Sequence, residues 1–265
     1  MGVCSWVLAA GLWASSGLVL AQSSGLATRT GVSLGLSLSS YKYDEPGYMS
    51  LKGNKLGVDY AATYALGASW PRSNESSFVR GELRYAGGQV DYSSPANGSM
   101  MHKPDAYLEA RALLGRDIDL GSYILAPYIG LGLRQLRNDL RGQASLGGSG
   151  YRRVNRSSYV PLGLTSKTAL AEGGQLHTTF EYMHLLRGTQ DAHLSDASAL
   201  ASDLRLRQSS GRGLRLQVMR HFGAWAVGPS LSYWQIDPSD PVGSPPAFEP
   251  KNKSYELIVK ASYQF

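Results

Sequence analysis

Cysteine, charge and long apolar runs are scarce in this 265-residue chain. Its one cysteine, Cys4, stands at the head of the first apolar stretch and not at its end, so no lipid-anchor cysteine is expected. The remainder has none, which excludes disulfides and cysteine metal sites there. Charged residues make up 17% of the chain, below the roughly 25% of soluble domains. Beyond Ala21 no apolar run approaches the ~20 residues of a spanning helix, which excludes a bundle of transmembrane helices. No glycine-rich phosphate loop is present. His102, His177, His184 and His221 do not cluster in the sequence, so no metal and no cofactor is expected.

Residues 5–21, SWVLAAGLWASSGLVLA, carry no charge. Val19-Leu20-Ala21 has the small-residue ending of an export signal. The expected division is a signal peptide over 1–21 and one exported domain over 22–265. MGVCSW lacks the basic residues that open such a signal, so a start further upstream is expected, with a retained anchor as the alternative.

The rest of the chain alternates. In Tyr255, Leu257, Val259, Ala261, Tyr263 and Phe265 one parity is apolar to the last residue; Glu256, Lys260, Ser262 and Gln264 hold the other. A period of two puts the sets on opposite faces of a strand. Ten such segments are expected: 29–43, 53–67, 77–92, 105–116, 121–137, 157–169, 174–188, 205–221, 223–236 and 254–265. Val90 and Tyr92 change parity after Gly87-Gly88, which predicts a bulge there. Connections at 93–104, 138–156, 189–204 and 237–252 read as long and polar. Those at Asp117–Leu120, Gly173-Gly174 and His221–Gly223 read as tight turns.

Opposite the apolar stripes stand Asp59, Arg80, Glu82, Arg84, Glu109, Arg111, Arg134, Glu181, Arg187, Arg215, Glu256 and Lys260, five acids interleaved with seven bases. Soluble strands average about five or six residues, whereas membrane strands need about 9–11. The fold expected is therefore all-β: a transmembrane antiparallel up-and-down β-barrel of ten strands, or eight if two segments are misread. Its charged face would line the lumen, and its long loops would lie outside the cell. Tyr41, Tyr43, Tyr233 and Trp234 read as an upper interfacial girdle, and Trp70, Trp225 and Phe265 as a lower one.

The closing Tyr263-Gln264-Phe265, the stretch APYIGLGLR at 126–134 and YKYDEP at 41–46 resemble the small Gram-negative outer-membrane β-barrel proteins, a porin-like group. The resemblance implies that Tyr255, Leu257, Val259, Tyr263 and Phe265 form the signal read by the barrel-assembly machinery. It implies a monomer in outer-membrane lipid that acts as a structural or surface-interaction barrel (an adhesin, for example) or as a narrow pore. An enzyme is the alternative. Asp191-Ala192-His193 has the Asp-x-His spacing of the omptin proteases. Their companion Asp-x-Asp is missing from 93–104, which offers His102 and Asp105, and Asp117-x-Asp119 falls on the opposite side. His193-Leu194-Ser195 has the His-x-Ser spacing of lipid A deacylases, in a polar loop. No catalytic residue is assigned. Arg141, Arg152, Arg153 and Arg156 are expected to meet lipopolysaccharide phosphates, and the long loops could take an extracellular ligand. Export argues against nucleic acid.

Overall fold

A computed structural model describes residues 25–68 and 75–265. The expected signal peptide and Trp70 lie outside them. Eleven strands follow one another: β1 Gly31–Glu45, β2 Met49–Ala68, β3 Glu75–Ser94, β4 Gly98–Asp119, β5 Tyr123–Gln143, β6 Ser149–Ala169, β7 Gln175–His193, β8 Leu204–Gln208, β9 Gly211–Phe222, β10 Trp225–Ile236 and β11 Asn252–Gln264. Each pairs antiparallel with its neighbours. β11 closes on β1, β6 on β7, and β8 and β9 pair with β7 in turn. β8 and β9 make one broken stave, interrupted at 209–210, so the structure is a closed barrel of ten staves.

The outer wall carries an apolar belt. On β2 it runs from Leu56 to Leu66 and on β11 from Tyr255 to Tyr263, with alternate side chains exposed. Eleven and nine residues match the length of a membrane strand. The lower rim is aromatic: Trp225 meets Tyr263 edge-on, and Tyr263 meets Phe265. The last strand is docked at its end, where the Phe265 amide donates to Val32 O and the Gln264 amide to Ala224 O, both at 2.8 Å.

Above the belt the strands continue. β4 has 22 residues and β5 and β6 have 21 each, so 93–104 and 138–156 are tall hairpins with tight tips and not the expected loops. The upper connections at 194–203 and 237–251 are the long ones.

In these extensions the pattern inverts. Tyr41, Tyr43, Leu51, Val90, Tyr92, Met100, Leu140 and Ala144 turn inward and pack together, while Lys52 and Arg137 face out. The register runs unbroken through Gly87 and Gly88 against Leu56 and Lys55, so the expected bulge is absent there. Instead the shift lies on β4 opposite Asp91, where His102 takes a φ of 55°. Val90 and Tyr92 change environment, not side. For the same reason Tyr41, Tyr43 and Trp234 are buried inside the barrel and do not form the expected upper girdle. Tyr233 does face out, against Tyr255.

Candidate functional site: the lumen and the upper rim

Odd residues of β2 and β4 and even residues of β3, β5 and β11 point inward, and so their charged members meet. Arg84 Nη1 lies 2.9 Å from Asp59 Oδ1 and its Nη2 3.6 Å from Glu256, while Lys260 reaches Asp59 at 3.2 Å. Arg111 bridges Glu82 and Glu181, the second at 2.7 Å. Arg215 bridges Glu109 at 2.9 Å and Glu181 at 3.3 Å, and Arg80 holds Glu82 at 2.9 Å. Ionic groups out of water need such pairing with most lone pairs satisfied. Three phenols complete it: Tyr107 donates to Glu256 at 2.8 Å, Tyr128 to Glu181 at 2.7 Å and Tyr159 to Glu109 at 2.6 Å.

Of the twelve expected lumen charges, eleven line the interior. Arg187 does not. An irregularity between Ser158 and Tyr159 on β6 leaves Leu186 as an extra residue on β7, so Arg187 falls on the outer face and is exposed. Arg134 is inside but makes no ion pair among the described residues; its guanidinium lies over the Tyr107 ring at 4.5 Å.

Other inward residues were not among the expected lumen charges. Lys55 pairs with Asp105, fully buried, and sits 3.4 Å from the centre of the Tyr41 ring. At the lower mouth Lys167 binds Asp117 at 2.7 Å, and the Thr28 hydroxyl meets Asp117 at 3.0 Å, which draws residues 25–28 into the opening. His177 and His221 stack there with centroids 3.9 Å apart. Lys55 shares parity with Asp59, and Asp105 and Asp117 share it with Glu109. Extending the alternation past the apolar belt finds all three.

Arg153, expected on an outer loop, is in the upper lumen, because β6 carries its alternation unbroken past the bilayer. It is 4% exposed and lies 2.5 Å from Glu45. It also binds Glu249, which the 237–251 connection folds back into the mouth. Tyr43 Oη is 2.8 Å from Glu45 and 3.1 Å from Glu249, and Gln190 donates to Glu249. Burial raises the Glu249 carboxyl to about 7, against the pull of Arg153 and with the help of Glu45. Ser239 and Glu249 exchange hydrogen bonds that pin the base of this connection.

Side chains thus fill much of the lumen. Its cavities measure about 350 Å³ at the lower mouth, 90 Å³ among the middle charges and 30 Å³ beneath the upper cap.

On the outer wall of β5 to β8, above the belt, arginines gather. Arg141 pairs with Asp139 at 2.6 Å and Arg152 with Asp196 at 2.7 Å, which holds Asp196 down at about 2. Arg156 and Arg205 share Asp191, the latter at 2.6 Å. Arg137, Arg187 and Arg207 are exposed with no acidic partner among the described residues.

At the top of the same wall, Asp203 accepts from Ser195 Oγ at 2.7 Å and lies 2.8 Å from His193 Nδ1. Those two contacts, the serine's first, lower its pKa. Asp203 stands between serine and histidine, whereas a nucleophilic serine needs the histidine beside it. Asp191 is held by two arginines. Asp117 and Asp119 lie at the opposite end of β4 from this cluster, as the sequence indicated.

No protein-family model and no curated protein matches this chain. Solved structures do match in fold. The outer membrane protease OmpT from Escherichia coli aligns over 89% of this chain and 97% of its own, with 11% identity and a TM-score of 0.53. The β domain of the Bordetella autotransporter BrkA aligns over 89% and 100%, with 15% identity and a TM-score of 0.45. The translocator domain of the autotransporter NalP from Neisseria meningitidis covers 92% of each chain, with 12% identity and a TM-score of 0.41. At these identities the likeness is one of fold.

Proposed function

We propose that this chain, an outer-membrane β-barrel, is a non-enzymatic, sealed barrel that works through its outer face: a structural or surface-interaction protein, not a diffusion pore. The observation that carries the reading is the stacked closure of the lumen. An apolar layer and the Arg153–Glu45–Glu249 group close its top, and the Arg111–Glu181–Arg215 group crosses its middle. Barrels near eight strands are filled by side chains, and open porins use about 16. Ten staves with long ionic side chains narrow the lumen, and on this reading water finds no continuous path through it.

The narrow-pore reading would require the 237–251 connection to lift and the middle pairs to part. The protease reading would require a second carboxylate pair facing His193, and its neighbours Asp203, Ser195 and Arg152 instead read as a brace for the loop. The arginines outside β5 to β8 fit a phosphate-bearing lipid. Guanidinium groups bind phosphate through paired, charge-assisted hydrogen bonds, and this set sits directly above the apolar belt. Lipopolysaccharide is the partner this reading assigns, with Arg137, Arg187 and Arg207 added to Arg141, Arg152 and Arg156, and Arg153 removed.

Planar-bilayer recording of the pure protein tests the seal. The expected result is no stable conductance at neutral pH, with conductance appearing when residues 237–251 are shortened and Arg111 and Glu181 are both replaced by serine. Large, stable openings of the unaltered protein would sink the reading.

A further inference from the structure

The small cavity beneath the upper cap has an unusual lining. Among its residues are one cation, Arg134, and no carboxylate. Three of its side chains present buried donors that meet no acceptor among the described residues: Arg134 Nε, the Trp234 indole N–H and the Tyr41 hydroxyl. Trp234 is 4% exposed and Tyr41 2%. A buried donor left unpaired costs roughly 1–3 kcal/mol, so three around one space call for a common acceptor.

Charge points the same way. Removing Arg187 from the expected set leaves six bases and five acids in the middle lumen. Five of those bases hold carboxylates: Arg80, Arg84, Arg111, Arg215 and Lys260. Arg134 is the sixth, and among the described residues it makes no ion pair. The carboxylates whose field reaches Arg134 are engaged elsewhere, Glu109 by Arg215 and Tyr159 and Glu256 by Arg84 and Tyr107. The cavity of about 30 Å³ exceeds the ~10–15 Å³ that one water-sized group requires, and it is too small for an organic acid.

We propose that Arg134, Trp234 and Tyr41 form a binding site for one small monovalent inorganic anion of chloride size, enclosed between the cap and the ionic middle of the barrel. The anion would pair with Arg134 and accept from donors that the described residues leave unmet.

Bromide is the probe. Crystals of the full barrel soaked in sodium bromide should show an anomalous peak within hydrogen-bonding distance of Arg134 and Trp234, absent in Arg134→Gln. Peaks on the outer surface alone, or none, would overturn the proposal. In solution, the temperature at which the folded gel band converts to the unfolded one should rise saturably with chloride when gluconate keeps ionic strength constant. Trp234→Phe keeps a ring in place and removes the N–H; it should weaken the half-saturating chloride concentration by about tenfold. Equal transition temperatures in chloride and gluconate would also overturn it.

Discussion

Arg111 Nη1 stands 2.7 Å from both carboxylate oxygens of Glu181, three staves away around the barrel. The pair ties β4 to β7 through the lumen and not through the sheet. Glu181 is fully buried, so removing Arg111 leaves its charge held only by Arg215 at 3.3 Å and by the Tyr128 hydroxyl. Arg111→Met should lower stability by about 3–5 kcal/mol. Arg111→Met combined with Glu181→Leu should recover much of that loss, because an apolar pair of similar volume avoids the weakly held charge. Urea unfolding in detergent micelles, followed by tryptophan fluorescence, measures both. A single variant as stable as the parent would show that water already solvates this pair.

Glu249 makes the upper cap sensitive to pH. Its carboxyl is raised to about 7 in the folded cap, above the ordinary value near 4.3. The folded form therefore binds the proton more tightly. Its contribution to closure is fully present below about pH 4.3 and fades as pH rises through 7. The hydrogen-exchange protection of the 239–249 amides, taken relative to the free-chain rate at each pH, should accordingly be higher at pH 5 than at pH 8. Glu249→Gln should flatten the dependence and keep the high protection, and the opposite trend would refute the assignment.

Inside the wall, aromatic rings lie against glycines of the neighbouring strand: Phe78 on Gly115, Tyr128 on Gly163, Tyr159 on Gly132 and Trp234 on Gly213. A methyl group at any of these positions would collide with the ring. Gly132→Ala should cost about 1–3 kcal/mol by overpacking and displace Tyr159 from Glu109. The heat-shifted gel band gives the readout. Gly81, where an added methyl group meets nothing, is the control and should tolerate alanine.

The arginine face predicts a lipid count. Arg137, Arg187 and Arg207 replaced together by alanine should lower the phosphate that co-purifies with the barrel and leave its heat shift intact. Arg153→Ala should instead weaken the cap, because that side chain points inward. Phosphate analysis of protein extracted in mild detergent separates the two outcomes.

Tyr263 and Phe265 stack outward at the lower rim. If this end is the assembly signal, deleting Phe265 should reduce the folded barrel recovered from outer membranes several-fold, and refolding of purified chain into micelles should change far less. Equal recovery from cells would remove the signal role.

The period of two gave the ten staves, the lumen side of eleven charges and the docked last strand. It misled wherever the surroundings of the wall change. Beside lipid, the outward set must be apolar. Above lipid that demand lapses, and the inward set can become the apolar one, as Tyr41, Tyr43, Val90 and Tyr92 do. A pattern reader then sees either a bulge, as at Gly87-Gly88, or a loop, as at 138–156, although the backbone simply continues. Arg153 was lost to that misreading. Arg187 was lost to a true irregularity at Leu186, which nothing in its local sequence announces. The cap was invisible for a different reason: Glu249 and Arg153 are 96 residues apart, and only closure of the barrel brings them together.

The tall hairpins give the molecule a fixed ruler. Because β5 and β6 run as single strands of 21 residues each from the lower rim to tips far above the belt, the Arg137 and Arg156 positions sit at a height set by covalent strand geometry, about 3.3 Å per residue along the strand. Loops could bend to follow a thicker or thinner bilayer, but this wall cannot. The surrounding lipid must stretch or compress to meet it, so the barrel imposes its own local membrane thickness and will partition toward patches that already match it.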